Sequence, residues 1–355
     1  MRKTIKVILF NVAVIALILA LFEGAMYALL RQPALLKHCP KGIRNSMGYL
    51  YSMGERRVIQ FSPECARYDE HLGYTLKPGS CLFSGTEFSN QYSINKQGLR
   101  DSEESLHRPD VIVAGDSYAM GWAVDQTETF AKVLAQKSGL RILNSAIASY
   151  GTAREMLLLG RLDTSQLKYL VVQYCENDLA ENRTFLKAGN RLETLSRQEY
   201  EHYTAVNNEP KDYTPGKYLV LKIDKKLKEW RQSRGKKAAA EASPADRKAS
   251  GGAVAAELDE VDCFLQTLMN GPVDLSGVQI IVLEAVGKGD FDRPFIGQLT
   301  QRIRSGPYPD YIRKIIPLDI TKVITPDHYY LLDDHWTPAG HRAIAEALLN
   351  LINPH

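Results

Sequence analysis

Cysteine is scarce in this sequence, and neither sign of charge is in excess. Five cysteines among 355 residues are too few for a fold held together by disulfides, and their odd number leaves at least one thiol unpaired within the monomer. None of them has the C-x-x-C spacing of a zinc or redox site. The 44 basic and 41 acidic residues give a formal net charge of +3, which argues against a nucleic-acid-binding surface spread over the whole chain.

A long apolar run occurs near the amino terminus. Basic residues at positions 2, 3 and 6 precede Val7–Leu30, which Asn11 and Glu23 interrupt. At 1.5 Å per residue this stretch is long enough to cross the ~30 Å hydrocarbon core of a bilayer. We predict an uncleaved membrane anchor over residues 1–31. The alternatives are a cleaved signal peptide, which has a shorter apolar region and a cleavage site that is not evident here, and a buried helix of a soluble protein.

The orientation of this anchor decides the redox environment of the cysteines. The short basic tail before the span favours a cytoplasmic amino terminus, although Arg31 and two lysines after the span weaken this preference. The rest of the chain would then lie outside the cytoplasm, in an oxidising compartment. Cys39, Cys65 and Cys81 could pair there, and we favour Cys65 with Cys81.

From about residue 110, short apolar segments alternate with helix-like segments. Continuous apolar strands that alternate with helices are typical of a parallel sheet covered on both faces. We therefore predict an α/β fold, a three-layer α/β/α sandwich with a mainly parallel, flavodoxin-like five-stranded sheet. The strand-like runs are 110–114, 140–143, 169–174, 278–283 and a segment within 312–320, and the helical ones are 129–138, 153–162, 255–269 and a terminal helix that starts at Thr337-Pro338.

The rest of the chain is arranged around this α/β core. We predict a loop-rich lead-in subdomain over 32–108 and a main domain over 109–355, with an insertion at about 180–275. Within the insertion, Lys222–Arg234 is basic and helix-prone, whereas Lys236–Ala253 is rich in small and polar residues and is typical of a flexible linker. The basic run could contact anionic lipid or an acidic glycan; a solvated helix face is the plainer interpretation.

Polar residues follow the predicted strands at the edge where open parallel sheets hold their sites. Gly115 permits a sharp turn from strand into helix, and Ser117 would lie exposed at the start of that helix, where backbone N–H groups favour a developing anion. A loop of small residues that includes Ser149 follows the next strand and could bring a backbone N–H close to a ligand. Asn177 follows the third strand and could offer its side-chain amide to an oxyanion; a helix cap is the alternative role.

A histidine precedes the terminal helix. An imidazole that moves a proton needs a nearby carboxylate to fix its tautomer and stabilise its charged form. Asp333, two residues before His335, can supply that carboxylate. Together with Asp334 and His341 these residues could be imagined as metal ligands. Since no other histidine or cysteine cluster has ligand spacing, we expect no metal and no other cofactor.

These segments together resemble the SGNH (GDSL-type) hydrolase superfamily over about Val111–Leu349, with the insertion interrupting the match. The Asp-x-His-Trp-Thr form and the lead-in segment Gly73–Asp101 are similar to the membrane-anchored bacterial branch related to polysaccharide O-acetylation and deacetylation proteins. The residues that match the family blocks are Gly115-Asp116-Ser117 with Gly121, Asn177-Asp178, and Asp333-x-His335 with Gly340.

The resemblance implies a serine-dependent ester hydrolase or O-acyltransferase that works through an acyl-enzyme. Ser117 would be the nucleophile, His335 its general base, and Asp333 the group that orients His335. The implied substrate is a small acyl ester, acetyl above all, of a cell-envelope or exported carbohydrate, so the partner would be an acylated carbohydrate or another acyl donor. The implied location is a bacterial inner membrane, crossed once, with the catalytic domain in the periplasm.

The same resemblance implies an oxyanion hole. Its donors would be the backbone N–H groups of Ser117 and Ser149 and the side chain of Asn177. Asp116 and Asp178 would support them. The chain departs from the family pattern where that pattern has glycine, with the serine at position 149 and a cysteine at position 175.

Two other classes of function stay open. One is a non-catalytic glycan-binding or assembly factor that retains the fold. The other is an anchored partner protein in which the basic insertion, Lys222–Lys248, carries the function. The presence of Ser117, Asn177, Asp333 and His335 favours the enzyme over the first of these.

Overall fold

The computed structural model describes residues 2–209, 212–241 and 258–352. The chain divides into two compact units. The predicted linker Lys236–Ala253 is helical as far as Glu241, and its remainder lies outside the described residues. The first unit comprises Met1–Arg56, Pro210–Glu257 and Leu331–Asp333, and the second comprises Arg57–Glu209, Leu258–Tyr330 and Asp334–His355.

Helices build the first unit, and helices alternate with strands in the second. The helices are α1 (Arg2–Arg31), α2 (Lys41–Gly54), α3 (Ser117–Met120), α4 (Phe130–Ser138), α5 (Thr152–Leu159), α6 (Asp178–Lys187), α7 (Arg197–Asn208), α8 (Lys217–Glu241), α9 (Glu260–Met269), α10 (Phe295–Ser305), α11 (Asp310–Arg313) and α12 (Pro338–Ile352). The strands are β1 (Ala66–Asp69), β2 (Gly73–Leu76), β3 (Gly79–Ser84), β4 (Ser89–Ile94), β5 (Val111–Ala114), β6 (Ile142–Asn144), β7 (Tyr169–Cys175), β8 (Gln279–Ala285) and β9 (Ile316–Leu318).

In the first unit, α1, α2 and α8 share a small apolar core. Glu23 of α1 is buried, and its carboxylate accepts the backbone N–H groups of Tyr218 and Leu219, both at 3.0 Å. Because the first N–H groups of a helix have no partner within it, Glu23 caps the start of α8. The buried side chains of this core are Leu30, Leu36, Met47, Leu50, Tyr51, Tyr218 and Leu332.

Within the described part of the chain, α1 is the helix long and apolar enough to cross a membrane. The span runs from Lys3 to Arg31, and its most apolar stretch has a mean hydropathy of 2.7 with no part buried inside the protein. Side chains such as Leu9, Phe10 and Leu21 are well exposed. The predicted apolar amino-terminal helix is therefore confirmed, while its topology stays a prediction.

A five-stranded parallel sheet lies at the centre of the second unit. Its strand order is β6-β5-β7-β8-β9, and each neighbouring pair is parallel. The longest pairing joins Tyr169–Cys175 to Gln279–Ala285. The first strand of this sheet, β5, lies between the second and the third, and open α/β sheets bind ligands outside the carboxyl ends of strands at such a switch point. The predicted α/β fold with a parallel sheet is confirmed.

Some element boundaries differ from those predicted. The strand predicted at 140–143 is Ile142–Asn144, and the strand within 312–320 is the short Ile316–Leu318. The helix predicted to start near residue 255 begins at Glu260, because the side chain of Asp259 accepts the backbone N–H of Asp262 and caps the helix there. Local capping thus set a boundary that the apolar pattern alone did not show.

Two antiparallel hairpins precede the sheet. One pairs β1 with β2 and the other pairs β3 with β4. Cys65, directly before β1, and Cys81 of β3 form a disulfide that links the two hairpins, with their Cα atoms 5.4 Å apart. The favoured pairing is therefore confirmed. The remaining cysteines, Cys39, Cys175 and Cys263, are free thiols.

We expect the Cys65→Ala/Cys81→Ala variant to lose about 3 kcal/mol of unfolding free energy, because closing a loop of this length restricts the unfolded chain. The two cysteines are separated by 16 positions in the sequence. Urea unfolding of the detergent-solubilised chain, followed by tryptophan fluorescence, measures the change. A reductant should lower the unfolding free energy of the wild type by the same amount, and it should leave that of the variant unchanged. Equal stability of the oxidised wild type and the variant would contradict this prediction.

Candidate active site

The first loop of the site turns sharply from β5 into α3. A Cβ atom on Gly115 would lie 2.7 Å from Cβ of Ala119 and 2.7 Å from Oε1 of Gln173, so the turn has no room for a side chain at this position. Asp116 follows and caps α3, because its Oδ1 accepts the backbone N–H of Tyr118 at 2.9 Å. The turn and the cap together place Ser117, which is half-buried, at the first position of the helix.

Gln173 is a site residue that the sequence analysis missed. Its fully buried side chain extends from β7, and Oε1 accepts the backbone N–H groups of Asp116 and Ala119, each at 3.1 Å. The amide of Gln173 therefore fixes both ends of the turn that carries Ser117. The available signal was a single polar residue inside the otherwise apolar strand 169–174.

The predicted nucleophile and the predicted base meet in the structure. Oγ of Ser117 lies 2.7 Å from Nε2 of His335, within hydrogen-bond distance. The imidazole is 5% exposed and contacts two aromatic rings, with centroid distances of 4.7 Å to Tyr118 and 5.1 Å to Trp122, the latter nearly parallel at 19°. A serine bonded to an imidazole that packing holds in place is the arrangement that activates a hydroxyl nucleophile.

Two acidic residues directly precede this histidine. Oδ1 of Asp334 lies 3.4 Å from Nδ1 of His335, and the Asp334 side chain is 55% exposed. The backbone carbonyl of Asp334 accepts the Tyr118 hydroxyl at 2.9 Å, which fixes this segment to α3. Asp333, the predicted orienting carboxylate, is buried and belongs to the first unit. Its role therefore stays a prediction.

The second loop lies against the first. The backbone N–H of Ile147 donates to the Gly115 carbonyl at 3.1 Å. Ser149 is exposed and has a φ of +60°, a left-handed conformation that is uncommon for a residue with a side chain. Nε2 of Gln60 donates to Oγ of Ser149 at 3.2 Å. Serine at this position therefore takes a backbone conformation that glycine takes without cost, and its hydroxyl gains a partner.

The third loop leads from β7 into α6. Asn177 is exposed, and its side chain makes no capping hydrogen bond to the helix that follows. Its amide is therefore not used as a helix cap, which was the alternative role. Asp178 is buried, and its Oδ2 accepts the Thr152 hydroxyl at 2.9 Å. This bond ties the third loop to the start of α5, directly after the second loop.

Buried acids lie beneath these loops. Burial raises the pKa of Asp116 from its ordinary value of 3.8 to about 6. Burial, together with the nearby charge of Asp116, also raises the pKa of Asp178 well above its ordinary value. Burial and the neighbouring charge of Asp178 also raise the pKa of Glu155, a residue of α5 that the sequence pattern did not indicate, well above its ordinary value. Burial disfavours the ionised form of all three acids, since ionised carboxylates are poorly solvated inside a protein.

Arg100 is a further residue that the sequence analysis did not assign to the site. It is 1% exposed, and its guanidinium carbon lies 3.6 Å from the centroid of the Tyr92 ring. The guanidinium donates to three backbone carbonyls between Met120 and Val124. These bonds fix the segment that carries Trp122, whose ring stacks on the imidazole of the site.

The potential metal ligands have other roles in the structure. In the described part of the chain, the grouping that could offer three ligand atoms is Asp333, Asp334 and His335. The imidazole of that group already faces Ser117 with one nitrogen and Asp334 with the other. His341 is fully buried, and its Nδ1 accepts the backbone N–H of Phe130 at 3.2 Å. Burial lowers the pKa of His341 to about 3, so this ring is a neutral structural element.

No family model matches the chain, and no curated protein matches it. Among solved structures, the chain is similar to a protein from Desulfitobacterium hafniense DCB-2 assigned as a lipolytic member of the G-D-S-L family. The identity is 12%, the match covers 68% of this chain and 99% of that chain, and the TM-score is 0.35. A likeness at this level does not assign this chain to a family.

We expect the Asp116→Asn variant to remove a pH dependence of stability. The folded-state pKa of about 6 exceeds the ordinary value of 3.8, so ionised Asp116 destabilises the folded state. The wild type should therefore lose up to about 3 kcal/mol of unfolding free energy as pH rises from about 4 to 6. Asparagine also caps helices well, so the variant should keep the turn. Urea unfolding at several pH values measures the unfolding free energy of the wild type and of the variant. If the two free energies changed with pH in parallel, the raised pKa of Asp116 would be contradicted.

Proposed function

We propose that this protein is a serine-dependent ester hydrolase or O-acyltransferase. The observation that carries the proposal is the 2.7 Å contact between Oγ of Ser117 and Nε2 of His335. The contact lies beyond the carboxyl end of β5, next to the switch point of a parallel sheet, where such folds hold their sites. The loops that follow the neighbouring strands β6 and β7 leave the sheet at the same edge.

The first step would form an acyl-enzyme. Oγ of Ser117 attacks the acyl carbon of the ester while Nε2 of His335 takes the hydroxyl proton. The carbonyl electron pair moves onto oxygen, which becomes an oxyanion. The backbone N–H groups of Ser117 and Ser149 and the side chain of Asn177 are the proposed donors to it. When the intermediate collapses, the bond to the alcohol oxygen breaks, and that oxygen takes the proton from His335.

The second step would release the acyl group. His335 removes a proton from an acceptor oxygen, which attacks the acyl carbon. When this second intermediate collapses, the bond from the acyl carbon to Oγ of Ser117 breaks, and Oγ takes the proton back from His335. Water as the acceptor gives hydrolysis, and a sugar hydroxyl gives O-acyl transfer. Both reactions share the acyl-enzyme and differ only in the acceptor.

We further propose that the substrate is a small acyl ester, acetyl above all, of a cell-envelope or exported carbohydrate. The support is the Asp-x-His-Trp-Thr sequence around His335, which resembles the polysaccharide-modifying branch of the family. Cys175, at the end of β7, stands where the family pattern has glycine. A side chain there would narrow the pocket, which favours a short acyl group.

The finer fold and the location are part of the same proposal. Crossovers between parallel strands are right-handed in about 98% of cases. Because the connections β5–β6 and β6–β7 run in opposite directions across the sheet, this rule would place α4 and α5 on opposite faces, as in a three-layer sandwich. The Cys65–Cys81 disulfide favours an oxidising compartment. It therefore supports a single-pass inner-membrane protein with its catalytic unit in the periplasm.

We expect a fluorophosphonate to label the full chain in detergent once, at Ser117. The reagent reacts with activated serines and needs no knowledge of the natural ester. The Ser117→Ala variant should give no adduct, and it should lose cleavage of a model acetyl ester by at least about 10³-fold. Intact mass and ester hydrolysis measure the two results.

The matched control for this experiment is Ser165→Ala, an exposed serine in a turn whose hydroxyl donates to Asp163. This variant should react with the fluorophosphonate and hydrolyse the model ester to the same extent as the wild type. A folded wild type that gives no adduct and cleaves no ester would overturn the enzyme proposal and favour a binding factor that retains the fold.

The orienting carboxylate can be identified by a pair of isosteric variants. We expect Asp333→Asn to lower kcat by a factor on the order of 10³–10⁴, because the imidazole loses the group that sets its tautomer and stabilises its cation. Asp334→Asn should cost less than about tenfold, since an exposed carboxylate 3.4 Å away contributes little in water. The reverse ranking would transfer the orienting role to Asp334 and leave the serine mechanism intact.

A further inference from the structure

Helix α8 packs against the rest of the first unit with one face. Tyr218 is buried, Leu221 contacts the small core, and the ammonium group of Lys225 lies 4.3 Å from the centroid of the Tyr49 ring. These positions of α8, three and four residues apart, share one side of a helix. On the facing helix α2, a Cβ on Gly54 would lie 3.1 Å from Leu221, so the two backbones approach closely.

The opposite face of α8 is apolar and exposed. Val220, Ile223, Leu227 and Trp230 recur at intervals of three and four residues, so they form one stripe along the helix. Their exposed fractions are 64%, 53%, 46% and 51%. We call these four residues the apolar stripe. Large apolar side chains in a contiguous exposed row mark a surface that contacts an apolar partner.

Basic residues flank the apolar stripe. Lys222 and Lys226 lie on one side of it around the helix, and Lys228 and Arg231 lie on the other. A helix with an apolar stripe between rows of basic residues is typical of helices that lie in the plane of a bilayer surface, where the basic groups meet anionic headgroups.

The level along α1 at which α8 begins indicates that the bilayer is the partner of the apolar stripe. The apolar run begins at Val7, and at 1.5 Å per residue about 20 residues from there cover the ~30 Å hydrocarbon core. Glu23 therefore lies in the last turn of that core, and it is Glu23 that caps the start of α8. Tyr27 and Tyr213, whose rings lie 4.8 Å apart, make a second contact at the same level. Helix α8 thus begins at the membrane–water interface.

We propose that α8 is an interfacial helix, with the apolar stripe in the acyl-chain boundary of an anionic phospholipid bilayer and its basic residues at the headgroups. The bilayer is the one that α1 enters. The first unit would then be attached to the membrane by the spanning helix α1 and by the surface helix α8. Glu23 connects these two helices. This inference does not depend on the proposed ester chemistry.

Quenching of Trp230 by brominated lipid tests the proposal. The full chain is reconstituted into phosphatidylcholine–phosphatidylglycerol vesicles, with or without acyl chains brominated at carbons 6 and 7. The other tryptophans, Trp122 and Trp336, are buried in the second unit, so the difference between the wild type and Trp230→Phe isolates Trp230. We expect brominated lipid to remove at least half of the Trp230 emission. Loss of less than a tenth would overturn the proposal.

Two variants test whether the quenching of Trp230 depends on the apolar stripe or follows from any substitution in the protein. Ile223→Asn/Leu227→Asn should at least halve the quenching of Trp230, whereas Glu201→Gln, at an exposed position of α7, should leave it unchanged. Both variants spare the face that packs on α2, and circular dichroism checks the helix. Equal quenching in the two variants would contradict a role for the stripe. Equal quenching without phosphatidylglycerol would overturn the part of the proposal that concerns anionic lipid.

A second copy of this chain is the alternative occupant of the stripe. The Leu227→Cys variant tests it in the same vesicles, with the wild type as the control for the native thiols. A disulfide-linked dimer that forms only in the variant would overturn the lipid assignment. Failure of α1 to insert is a separate outcome: alkaline carbonate would then extract the protein from the vesicles, and the proposal would fail for that reason.

Discussion

The site depends on one buried amide. Gln173 leaves an apolar strand, and its Oε1 accepts the backbone N–H groups of Asp116 and Ala119. These N–H groups would otherwise be buried without a partner, at a cost of about 1–3 kcal/mol each. The same oxygen lies where a side chain on Gly115 would be. The amide of Gln173 therefore leaves room only for glycine at position 115. It also holds the turn closed, which fixes the direction in which Ser117 projects.

The other loops are joined to this turn by bonds of the same kind. Ile147 donates to the Gly115 carbonyl, Thr152 donates to Asp178, and the Tyr118 hydroxyl donates to the Asp334 carbonyl. Each bond connects segments that are far apart in the sequence but lie at one edge of the sheet. Catalysis by preorganised donors requires groups held in place before the substrate arrives, and these bonds would supply that rigidity.

The sequence predicted those features that local pattern controls. Apolar strands between helices predicted the parallel sheet, and the pairing of Ser117 with a distant histidine followed from the resemblance. Gln173 and Arg100 were missed, because a buried polar side chain is explained only by backbone groups brought to it from elsewhere in the fold. The pairing of α1 with α8 was missed for the same reason, since Glu23 and Tyr218 lie almost 200 positions apart.

The buried acids place a limit on how the site can balance stability and chemistry. Asp116 is costly to ionise because it is buried, yet its ionised form attracts the His335 cation, which in turn opposes the rise of the Asp116 pKa. In the proposed reaction, proton transfer from Ser117 would create that cation at the moment of attack. An ionised Asp116 would therefore destabilise the folded protein and stabilise the charged imidazole at once. Near pH 6 the two protonation states of Asp116 are similar in population, so the local field at His335 changes with pH even while the geometry of the turn is kept.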